Sequence, residues 1–62
     1  MDSNIKQKTI LLIEDEPLLS TLLKQKVAKE GFNVILCEDG EIALNTLKSV
    51  KPDLILLDII LP

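Results

Sequence analysis

Histidine, tryptophan and tyrosine are absent from this 62-residue chain, and one phenylalanine, Phe32, supplies all of its aromatic content. That excludes a stacking platform for bases or sugars and leaves Leu, Ile and Val to build the core. Without histidine, the softer transition metals lose a principal ligand. A single cysteine, Cys37, cannot form an internal disulfide, which is consistent with a reducing cytoplasm. No apolar run approaches the ~18 residues of a membrane span, and no signal-peptide pattern opens the chain. Positive charge is also short. Seven basic residues against ten acidic ones leave a net charge of -3. The lysines are scattered, so this segment carries no basic stripe for nucleic acid.

What is present is aliphatic. The hydrophobic share is 47%, high for a chain so short. Sixty-two residues make one domain at most, and a domain of that size buries only about 60% of its unfolded surface. Residues 1–8 read as a polar leader, and the domain is expected over residues 9–62. Ile10-Leu11-Leu12-Ile13 is a continuous apolar run, the mark of a strand buried on both faces, expected at about 9–14. It breaks into Glu14-Asp15-Glu16-Pro17, where Pro17 suits the first turn of a helix. Leu18, Leu19, Leu22, Leu23 and Val27 then fall at helical spacings, with Ser20, Thr21, Lys24, Gln25 and Lys29 between them. A helix is predicted over about 17–30, with the first set inward and Gly31 as its left-handed stop.

Asn33 to Cys37 reads as a second strand, closed by Glu38-Asp39-Gly40, and a buried, inert thiol is expected at Cys37. A second helix is predicted over about 41–50, ended by Lys51-Pro52. Four apolar residues, Leu54 to Leu57, then run between Asp53 and Asp58, a third strand at about 53–58.

The pattern is β-α-β-α-β with short connections, which implies parallel strands and right-handed crossovers. Strands one and three are apolar at every position, so the order 2-1-3 is expected, with one helix on each face. That order sets the ends of strands one and three side by side at the switch point of the sheet. Glu14, Asp15 and Asp58 would then meet. Carboxylates crowded at one crevice repel and call for a cation, and all-oxygen ligation suits magnesium or manganese. With one aspartate free to attack, such a site could accept a phosphoryl group. An isolated strand-end aspartate is more often a plain polar terminator. The neighbouring acidic pair is what shifts the balance.

Ile10 to Pro17, Gly40-Glu41-Ile42-Ala43-Leu44, and Pro52 to Pro62 resemble the receiver domain of two-component response regulators. The resemblance covers nearly all of the chain from Thr9. It implies a flavodoxin-like fold in which Asp58 takes a phosphoryl group from a histidine kinase, as an acceptor rather than an enzyme. It also implies magnesium held by Asp15, Asp58 and the backbone carbonyl of Ile60, with Glu14 reaching the metal through water. Aspartate is common at the position of Glu14, and the longer arm suits a bridged role.

A receiver has five strands, and the pattern here covers three. The chain is expected to be the N-terminal half of such a domain, from a response regulator carrying it at the N-terminus. Without the family's phosphate-binding hydroxyl and lysine on strands four and five, transfer to Asp58 should be severely impaired or absent. The exposed third strand should make the chain a homodimer, by edge pairing or by exchange. The alternative function is a non-catalytic half-fold that self-associates. Two other classes fit less well. A haloacid-dehalogenase-like phosphatase wants an acid where Ile60 stands, and a Rossmann-type nucleotide binder wants glycines where Glu14-Asp15-Glu16-Pro17 would repel phosphate.

Overall fold

The computed structural model describes residues 7–57. Five elements follow in order: β1 (Thr9–Ile13), α1 (Pro17–Lys29), β2 (Asn33–Cys37), α2 (Gly40–Thr46) and β3 (Leu54–Leu57). The strands form one sheet in the order β2-β1-β3, with β1 parallel to both neighbours. This is the βαβαβ arrangement expected from the alternation of apolar runs and helical periodicity. β1 is central because all five of its residues can be enclosed from both sides. Ile10, Leu11 and Leu12 are buried, Leu11 completely.

Register sorts the side chains into two faces, since neighbouring parallel strands present aligned residues to the same side. Leu11 aligns with Ile35 and Ile55, and Ile13 with Cys37 and Leu57. Leu11, Cys37 and Ala43 form the buried cluster, with Ile13, Ile35 and Leu47 packed against it, so α2 covers that face. Ile10 and Leu12 point the other way and are buried beneath α1, which packs on β1 and β2. One helix lies on each face.

Chain chemistry sets the helix ends. Pro17 opens α1 at its first position. Gly31 closes the segment at φ +100, a left-handed conformation that a Cβ disfavours. At α2, the Asp39 side chain accepts a hydrogen bond from the Ile42 N–H at 2.9 Å, an N-terminal cap. The helix stops at Thr46, before the expected Val50. Beyond it the Lys48 and Ser49 N–H groups donate to carbonyls three residues back, on Asn45 and Thr46, tightening the chain into turns ahead of Pro52.

The face of α1 differs from expectation. Ser20 is buried and Leu18 and Leu22 are more than half exposed, while Leu19, Leu23 and Val27 are partly enclosed. The helix is therefore rotated so that Leu19, Ser20, Leu23 and Val27 face the sheet. Ser20 can sit there because its hydroxyl donates to the Pro17 carbonyl at 2.9 Å. Strand limits also shift slightly. β1 ends at Ile13, and β3 begins at Leu54, just after Asp53, whose N–H donates to the Thr9 carbonyl and whose Oδ2 accepts from the Thr9 N–H, both at 2.7 Å.

Candidate functional site

The site grows from the carboxyl edge of the sheet. Glu14 follows β1 directly, and its N–H donates to the Cys37 carbonyl at 3.0 Å, which extends the β1–β2 ladder by one bond. Held this way, the Glu14 side chain is buried, an unusual place for a carboxylate. Its Oε1 accepts from the Glu16 N–H at 3.0 Å, folding the acidic segment into a tight turn before α1. Its Oε2 is buried with no partner. A buried carboxylate oxygen without a donor is costly, and the deficit is one that a cation or a bound water would relieve.

Asp15, beside it, is exposed. Both line a cleft of about 320 Å³ with Pro17, Ser20, Thr21, Leu36 and Glu38. The hydroxyls of Ser20 and Thr21 both donate to the Pro17 carbonyl at 2.9 Å, so their lone pairs, like the carboxylates, are acceptors. The cleft thus favours a cation over an anion.

Asp58 and Ile60, the other residues expected at the site, lie outside the described residues. Register still constrains the count. Ile13 aligns with Leu57, so Glu14 and Asp58 are the next residues after an aligned pair. Among the described residues no three carboxylates converge as a metal cage. The donors that are described fit a hard cation in kind: carboxylate oxygens, one of them orphaned, with no nitrogen or accessible sulfur ligand.

Glu38 is a lining residue that sequence reasoning passed over as part of a turn. Cys37 pairs with Ile13, so Glu38 follows β2 as Glu14 follows β1. Cys37 is buried as expected, with its Sγ 3.7 Å from the Thr46 hydroxyl.

Residues 10–62 match the family model of the response regulator receiver domain, and the chain belongs to that family. Among similar curated proteins is the alkaline phosphatase synthesis transcriptional regulatory protein PhoP of Bacillus subtilis, 46% identical over 55 residues, 89% of this chain and 23% of that protein. The transcriptional regulatory protein CpxR of Escherichia coli is 49% identical over 53 residues, 86% of this chain and 22% of its own length. The DNA-binding response regulator MtrA of Mycolicibacterium smegmatis is 38% identical over 56 residues, 90% of this chain and 25% of that protein. The chain spans about a quarter of these relatives or less. No solved structure matches it significantly.

Proposed function

We propose that the chain is the phosphoacceptor segment of a two-component response regulator, with Asp58 as the residue that takes the phosphoryl group. The observation that carries this reading is the register of β1 and β3, which sets the acidic pair Glu14 and Asp15 beside the strand that leads into Asp58. Family membership supports the phosphoacceptor role. The donor would be a phosphohistidine of a histidine kinase. The phosphorus–nitrogen bond breaks, a bond from phosphorus to an Asp58 carboxylate oxygen forms, and the imidazole leaves with the electron pair. The chain accepts the group and does not turn it over.

Asp15, Asp58 and the Ile60 carbonyl would hold magnesium, and the orphaned Oε2 of Glu14 would bind a water between itself and the ion. Held by those residues, such an ion would supply positive charge against the transferring oxygens. Within the chain, Glu14 has a second task. Its bond to the Glu16 N–H fixes the turn from which Asp15 projects. Partners follow from the same reading: a histidine kinase as donor and, in relatives named as transcriptional regulators, an output function outside this segment. No helix among the described residues is long and apolar enough to cross a membrane.

Incubation of the 62-residue chain with acetyl phosphate and magnesium, followed by intact-mass and fragment analysis, tests this. At most slow, magnesium-dependent addition of one phosphoryl group is expected, with any label at Asp58 and abolished by Asp58→Asn. Removing a single transition-state donor typically costs about 10²–10³ in rate, and the 62 residues contain neither the hydroxyl nor the lysine that the family resemblance places on later strands. A label at a residue other than Asp58, or labelling of the Asp58→Asn variant, would contradict the assignment.

A further inference from the structure

Cys37, Ile13 and Leu57 align across the sheet, so by count along the chain each strand leads into an acid at the same level: Glu38, Glu14 and Asp58. On β1 and β2 the side chains show what this brings together. Leu12 aligns with Leu36 on the α1 face, and two residues further along each strand Glu14 and Glu38 line one cleft with Ser20 and Thr21 of α1. Adjacent strands stand about 4.8 Å apart, so the two acids leave the sheet as near neighbours. Their surroundings differ. Glu14 is 2% exposed and its Oε2 has no partner, whereas Glu38 is open to water.

We propose that Glu38 is a positioning residue of the cation site, acting through Glu14 as a second negative charge that a bound ion relieves. The proposal rests on the reading of Glu14, Asp15 and Asp58 as that site. Two observations carry it. The first is the orphaned oxygen of Glu14, an unsatisfied buried charge that a carboxylate one strand away destabilises further. The second is the make-up of the cleft. Glu14, Asp15 and Glu38 supply three negative charges, the hydroxyls of Ser20 and Thr21 both donate to the Pro17 carbonyl, and among the described residues no lysine lines it.

Glu38 is not a direct ligand on this reading. β2 and β3 flank β1 on opposite sides, which sets Cys37 and Leu57 two strand spacings apart, about 10 Å. Among the described residues no three carboxylates converge as a cage. The influence of Glu38 is that of charge, felt by Glu14 in the metal-free chain and by the ion when it is bound.

One substitution should therefore have two opposite effects. Glu38→Gln removes repulsion from Glu14, so the metal-free chain should keep its urea midpoint or raise it. The same change removes attraction for the ion. The magnesium midpoint read from the Asp15 and Asp58 amides should rise about three- to tenfold at low ionic strength. That difference should shrink as salt is added, because the Debye length falls to about 10 Å at 0.1 M. A side chain that only supports the fold would instead lower the urea midpoint and weaken binding together, and that result would contradict the proposal. Glu30→Gln makes the same charge change at the far end of α1, about 20 Å from Pro17. As the control, it should move the magnesium midpoint less than about twofold. In a Glu14→Gln background the stability effect of Glu38→Gln should vanish, because the buried charge it acts on is gone.

No magnesium response at Asp15 and Asp58 in the parent would overturn the cation reading and this proposal with it. A parent that responds, with Glu38→Gln no different from Glu30→Gln, would overturn the role of Glu38 alone.

Discussion

Glu14 shows how one residue can serve both structure and chemistry. Its N–H extends the β1–β2 ladder, one carboxylate oxygen holds the turn into α1, and the other is buried without a partner. Glu14→Gln keeps an oxygen for the Glu16 N–H and removes the buried negative charge. The metal-free variant should be as stable as the parent or about 1 kcal/mol more stable, since an unsatisfied buried group costs about 1–3 kcal/mol. Urea unfolding reads this, and a loss above about 2 kcal/mol would show that the charge is already satisfied. Leu11 is the opposite kind of residue, wholly enclosed between two strands and α2. Leu11→Ala should cost about 2–5 kcal/mol, enough to unfold a chain this small. Leu44→Ala, at a site 69% exposed, should stay within about 0.5 kcal/mol. Equal effects of the two substitutions on the urea midpoint would refute the assigned core.

Among the elements, caps and register matter more than helix amphipathicity. Asp39→Ala should cost about 1 kcal/mol by freeing the Ile42 N–H, whereas Glu16→Ala should cost little, because the Glu16 side chain makes no cap bond to α1. Thermal unfolding of the pair checks the contrast, and equal losses would contradict it. The elements themselves were legible because each speaks in a period its sequence cannot hide: Ile10 to Ile13 unbroken, Pro17 opening and Gly31 closing α1, Asn33 to Cys37 matching β2 residue for residue. What could not be read was the rotation of α1. Leu18 and Leu22 looked inward by hydrophobicity alone, but Ser20 satisfies its hydroxyl within its own helix and so costs little to bury. The end of α2 was missed for a related reason. Nothing in Leu47-Lys48-Ser49 forbids a helix, yet the Lys48 and Ser49 N–H groups bond to carbonyls three residues back and the chain leaves the helix after Thr46.

At the scale of the whole molecule, a three-stranded parallel sheet sets the carboxyl ends of β1 and β3 side by side. That juxtaposition gives the candidate site. The site was legible as far as the order 2-1-3 was legible, since that order alone makes Glu14, Asp15 and Asp58 neighbours in count. Glu38 escaped notice because its place depends on the β1–β2 register, which the sequence does not state. Two unit charges about 4 Å apart repel by roughly 4 kcal/mol at an effective dielectric near 20, so a carboxylate cluster of this kind should respond to a divalent ion even when binding is weak.

Magnesium titration followed by backbone amide shifts tests most directly whether the carboxyl ends of β1 and β3 act as one site. The amides of Glu14, Asp15 and Asp58 should move together with a single millimolar midpoint. Asp15→Asn should abolish the response at Asp58 while leaving the dispersion of the core amides of Leu11 and Cys37 intact. Shifts at Glu14 and Asp15 that saturate independently of Asp58, or no shift at all at millimolar magnesium, would contradict the account.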